Sequence, residues 1–208
     1  MLAQVSTSSV DVWPQGEEEH GDSEYWSRYR HLDNDLSSMI FMLPENLRLP
    51  AAFRCQHAVF VNILTHVAII CLHQSAIRRV QPVRDHNDHL EPVTSGTSPS
   101  AVATVVRQSR DRMLAAAKEI QHIFGIVQDL EMALRSPMQD FAAYTAALVF
   151  LERLAADHGD AASRGSVIFL LDVLGIAGQT NPSAKVFAAR LTANLERCSV
   201  SVVSNASS

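Results

Sequence analysis

At 208 residues and 22.8 kDa the chain is one domain's worth of protein, or a domain with a tail. Hydrophobic residues make up 47% and charged residues 19%, which allows a packed core and excludes global disorder. The formal charge of −5 is unevenly placed: Asp11, Glu17, Glu18, Glu19, Asp22 and Glu24 fall in the first 24 residues, which hold no Lys or Arg. Taking those six from 22 acids leaves 16 against 17 bases, so the body carries a net +1. A neutral body with a pI near 6 is a poor match for a phosphate backbone, and no direct nucleic-acid binding by this chain alone is expected.

In chain order, residues 1–24 are rich in Ser and acid, lack apolar periodicity, and read as a disordered acidic tail. A short amphipathic helix follows from Tyr25 to about Leu43, with Leu32, Leu36, Met39, Ile40 and Leu43 at helical spacing. Pro44 and Pro50 bracket the loop that stops it. The spacing then predicts a long helix from about Ala52 to Val80. Its most apolar stretch, Ala58 to Leu72, is shorter than the roughly 20 residues a membrane span needs, and reads as a buried core helix with no membrane partner. Residues 81–99 hold three prolines and mixed charge and read as a loop.

Ser98 or Ser100 caps the next helix, with Pro99 in its first turn. Val102, Val106, Ser109, Met113, Ala116, Ile120, Ile123, Val127, Leu130 and Leu134 form one seam along it, interrupted by Gly125, where close packing or a bend is expected. Ser136-Pro137 opens a helix to about Asp157; Asp160 or Ser163 opens another, ending near Gly178. Asn181-Pro182 caps the last, Ser183 to about Cys198, and residues 199–208 read as a frayed tail. No run alternates with period two. The expected fold is all-α: an irregular bundle of about six helices around one long central apolar helix, in a single domain over residues 25–198.

Chemistry-bearing residues are few. On the long helix Asn62, His66 and His73 fall within about 40° of one another, with Thr65 close by. Such a strip inside an apolar helix is either a pocket lining or a set of core side chains satisfied by a neighbouring helix. His66 and His73 are about 10.5 Å apart along the axis, too far to share a metal ion. The loop Asp85-His86-Asn87-Asp88-His89-Leu90-Glu91 matches no metal-site pattern and reads as solvated. Asp172, alone in Val167–Leu174, reads as a residue on the helix's polar edge. The Gly-x-x-Gly at Gly175 and Gly178 follows no strand and reads as a helix end. Cys55, Cys71 and Cys198 are odd in number and far apart, without zinc spacing or a disulfide framework, and no signal peptide is evident, so a reducing interior is expected. Nothing assembles a nucleophile, base and orienter. No enzyme activity, cofactor or metal is expected.

The order of segments resembles the middle homology region of fungal binuclear zinc-cluster transcription factors. Tyr25-Trp26, Leu32-Asp33 and Leu43-Pro44 are similar to that family's Tyr-Trp, Leu-Asp and Leu-Pro steps. The stretch Asn62 to Ile77 looks like its central helix signature, Arg112 to Ile120 like its Arg-Cys-x-x-Ala-Ala-x-x-Ile helix, and Asn181-Pro182 like the step before its closing helix. Met113 replaces the usual Cys and Ser75 a common Ala, both packing changes. The six cysteines of the DNA-binding cluster and the helices that normally precede the Tyr-Trp step are absent from this sequence, which therefore resembles the C-terminal part of the regulatory domain. The resemblance implies a regulatory module acting in RNA polymerase II transcription in the nucleus, in contact with other transcription-factor segments or a small-molecule effector. The alternative from another class is a stand-alone helical module whose Asn62, Thr65, His66 and His73 strip lines a small-molecule pocket. Missing helices would leave the central helix partly uncovered, so the chain is expected to self-associate or pack loosely.

Overall fold

The computed structural model describes residues 20–81, 99–127, 136–157 and 160–205. Among them are six α-helices and no strand: α1 (His20–Met42), α2 (Gln56–Val80), α3 (Pro99–Ile126), α4 (Pro137–Ala156), α5 (Ala161–Ala177) and α6 (Pro182–Asn205). A 3-10 turn, Glu45–Leu47, sits between α1 and α2. The all-α bundle of about six helices is therefore what the periodicity predicts.

Four boundaries differ from the expected ones, each for a local reason. Helix α1 begins at His20, five residues before Tyr25, and an i,i+4 pair between Arg28 and Glu24 (2.5 Å) supports its start. Helix α2 begins at Gln56 rather than Ala52, because the chain leaves Pro50 in turns held by Ala52 N–H to Arg48 O and Cys55 N–H to Ala52 O. Helix α3 stops at Ile126, so Gly125 lies in its last turn; among the described residues no atom outside its own helix backbone and chain neighbours lies within 4 Å of where a Cβ would sit. Leu130 and Leu134, expected to extend the seam, lie outside the described residues, as do residues 1–19 of the acidic tail and the loop 82–98. Helix α6 continues past Cys198 to Asn205, since no Gly or Pro interrupts the Ser/Val run.

Caps hold the other ends. The Ser136 hydroxyl accepts from Met138 N–H with Pro137 at the first helical position. Asp160, of the two candidates, caps α5: its carboxylate accepts from Ser163 N–H (3.0 Å) and from the Ser163 hydroxyl (2.8 Å). Gly178 is the C-cap of α5 in an ordinary right-handed conformation, and Gly175 lies within the helix.

Helix α2 lies across α3 and is flanked by α1 and α4. By length and composition it could cross a bilayer, with a mean hydropathy of 1.6 over its most apolar 18 residues, and so exceeds the sequence expectation; half of that window is covered by the other helices. It shares its central position with α4, which packs on α2, α3, α5 and α6. Eleven of the 20 residues of α4 are buried, against eleven of 25 in α2. The reason is composition: Ala142, Ala143, Ala146 and Ala147 have no exposed surface and let the neighbouring helices approach closely. The main core gathers Ile63, Ile70, Met113, Ile120, Phe124, Phe150, Leu154, Leu170, Leu174 and Leu191. A smaller cluster, Trp26, Tyr29, Ala76 and Val105, ties α1 to α2 and α3.

Candidate functional site: a polar clamp joining three helices

Tyr25, Tyr29, Asp33 and Ser37 recur every four residues and so share one stripe of α1. Each meets a polar group on a neighbouring helix. The Tyr25 hydroxyl lies 3.1 Å from Ser75 Oγ on α2, and the Tyr29 hydroxyl 2.7 Å from His73 Nδ1. Asp33 Oδ1 lies 3.3 Å from His73 Nε2 and accepts a 2.7 Å hydrogen bond from Arg112 Nη2 on α3, which also donates to Ser37 Oγ. Ser109 Oγ of α3 stands 3.4 Å from His73 Nδ1. Aromatic edges line the same seam, Tyr25 to Trp26 to Tyr29 to His73, with centroids 5.1, 5.6 and 5.7 Å apart.

The electrostatics follow from burial and charge. Burial pushes the Asp33 carboxyl up, but His73 and Arg112 together outweigh it and hold it at about 2. A carboxylate facing Nε2 favours the tautomer with its proton there, although the 3.3 Å contact falls outside hydrogen-bond geometry. Nδ1 is then an acceptor, and the Tyr29 hydroxyl donates to it. Burial pushes that hydroxyl up to about 12, so it keeps its proton.

An acid, an imidazole and a serine hydroxyl within reach of one another are also the parts of a nucleophilic triad. Here Ser109 is 1% exposed and His73 3%, and neither described cavity is lined by them. The arrangement fixes α1 and α3 against α2.

The four residues singled out on α2 are all buried, but they do not come together. Asn62 Nδ2 donates to Leu47 O (2.9 Å) and Ala58 O (2.7 Å), which fastens the 3-10 turn to α2. The Thr65 hydroxyl donates to Val61 O within its own helix. His66 Nδ1 has no hydrogen-bond partner among the described residues; burial lowers the pKa of the ring, against a smaller upward pull from Glu119 of α3. Only His73 belongs to the clamp. The two described cavities lie elsewhere, one between α4 and α6 and one between α3 and α4, so the strip lines neither. Asp172 is exposed on the polar edge of α5, and the loop 85–91 lies outside the described residues.

A second buried acid was not singled out in the sequence. Asp140, fully buried in the first turns of α4, accepts from Ser183 Oγ of α6 (3.2 Å), while its Oδ1 has no partner. Burial pushes this carboxyl up, against the smaller opposing pull of hydrogen bonds from Ser183 and Asn181. Sequence carried weak signals for the clamp: Ser109 is the one polar residue in the apolar seam of α3, and the four-residue spacing of Tyr25, Tyr29, Asp33 and Ser37 is readable. Their convergence on His73 needed the helix packing. Among the described residues no group of three His, Cys, Asp or Glu side chains is placed to hold a metal ion. Comparison with models of known families, with curated proteins and with solved structures returns no match.

Proposed function

We propose that residues 25–198 form a regulatory module of a fungal zinc-cluster transcription factor, one that acts through packing and contact with other protein segments. The observation that carries the reading is the placement of the residues behind the resemblance. Tyr25, Trp26, Asp33, His73 and Arg112 all sit in the seam that joins α1, α2 and α3. Asn62 ties the 3-10 turn that follows α1 to α2. Residues that define the resemblance are thus residues that hold the helices together, as a signature for a shared packing would require.

The fold gives such a module a surface for contact. Phe41 and Met42 at the end of α1 are 78% and 80% exposed, with Met39 and Leu32 on the same helix also exposed. Nuclear location, an effector and partner segments from the same or another chain belong to this proposal. Sequencing of full-length transcripts across the coding region tests it. The reading expects a six-cysteine zinc cluster in frame on the same transcript; transcripts that begin at Met1, or that encode another class of domain, count against it.

A further inference from the structure

The cleft between α3 and α4 has a make-up that the clamp does not explain. Its floor is apolar: Met113 and Val149 are almost fully buried and Leu114 half-buried. Its rim carries both signs of charge, Arg110 and Asp111 from α3, Glu152 and Arg153 from α4, with Ala156 at one end. These positions fall at i, i+1, i+3 and i+4 on α3 and at i, i+3, i+4 and i+7 on α4, so two facing helices present them, with Asp111 at the outer edge of the α3 set. The volume is about 170 Å³. That is well below the range of about 300–1,000 Å³ typical of drug-sized ligands, and so suits a much smaller molecule.

Charge decides the class. Arg110 Nε donates to Glu152 Oε1 across the cleft at 2.9 Å, and Arg153 makes a longer 3.4 Å pair with Asp160. The Asp111 carboxylate is exposed and has no partner among the described residues. An apolar amine would find Asp111 but also two guanidinium groups. An apolar acid would find Arg153 but also two carboxylates. A zwitterion satisfies both signs, and an aliphatic side chain covers the Met113–Leu114–Val149 floor, where the flexible thioether can adapt to its shape.

We propose that this cleft binds a small zwitterion with an aliphatic side chain, an α-amino acid of the leucine type, with Asp111 facing its ammonium and Arg153 its carboxylate. The site stands independently of any role in transcription. The test is a two-dimensional NMR titration of the isotope-labelled full chain with L-leucine, 3-methylbutylamine and 4-methylpentanoate, which share the tail and differ in the charged groups. Leucine should give saturable shifts at residues of the cleft with a Kd of about 1 mM, and the two singly charged analogues should bind about tenfold more weakly. Asp111→Asn and Arg153→Gln should each weaken leucine binding about fivefold. Ala156→Phe, at an exposed position, should fill the cleft and abolish binding with the helical circular dichroism unchanged. No saturation below about 20 mM overturns the proposal. So does equal binding of either analogue, or undiminished leucine binding to the folded Ala156→Phe variant.

Discussion

Replacing Asp33 by Asn tests the clamp through its charge. The folded-state carboxyl sits at about 2 against an ordinary 3.8, a difference of nearly two pH units. At about 1.4 kcal/mol per unit, the ionised carboxylate contributes about 2 kcal/mol to stability at neutral pH. Asp33 keeps only about a quarter of its side chain exposed, so solvent screening removes little of this. The sign follows from the direction of the shift. A carboxyl depressed in the folded state stabilises fully above the unfolded value and loses that contribution as pH falls through the folded one. Asp33→Asn should therefore cost about 2 kcal/mol in urea unfolding followed by circular dichroism at pH 7. That corresponds to a drop of about 4–8 °C in Tm for a domain of this size. The gap between variant and wild type should shrink between about pH 4 and pH 2, the window in which wild-type Asp33 takes up its proton. A variant as stable as wild type at pH 7, or a gap that does not change with pH, would refute the assignment of Asp33 as the charged centre of the clamp.

Other perturbations separate the remaining buried groups. His66→Leu should be neutral or stabilising by about 1 kcal/mol at pH 7, because it removes an unpartnered buried nitrogen; wild type should lose stability as pH falls below about 6.5 while the variant does not, since burial disfavours the charged ring. Asp140→Asn should remove a stability loss that wild type shows as pH rises above about 4, because a carboxyl raised in the folded state opposes folding once it ionises; parallel urea titrations from pH 4 to pH 8 read the difference. Gly165→Ala, in α5 with no atom within 4 Å of the new Cβ, should stabilise by roughly 0.5–1 kcal/mol, read as a rise in the urea midpoint at constant slope.

Periodicity made the helices legible because each apolar stripe has a packed counterpart, as with Ile63 and Ile70 on α2 or Ile120 and Phe124 on α3. The cap at Ser136-Pro137 was legible because chemistry left few choices, whereas Asp160 and Ser163 were equally competent in sequence and the backbone path selects Asp160. Sharing of the centre between α2 and α4 was not, since hydropathy marks the greasiest helix whereas close packing depends on small side chains such as those of Ala142 to Ala147. The polar strip was legible only as buried. One face of a helix 25 residues long meets different neighbours along its length: the 3-10 turn at Asn62, α3 near His66, and both α1 and α3 at His73. Angular proximity on the helix therefore says nothing of a common site.

We propose that the clamped helical unit regulates a transcription factor, and a tethered reporter assay reads that regulation in a cell. Residues 25–198 would be placed between a heterologous DNA-binding domain and an activation domain in a fungal host, beside the Asp33→Asn variant and an inert linker of equal length. The wild-type module should change reporter output severalfold relative to the linker at equal protein abundance. Asp33→Asn, by loosening α1 and α3 from α2, should move the output back towards the linker value. Output equal to the linker for both forms, with the fusion proteins folded and equally abundant, would contradict it.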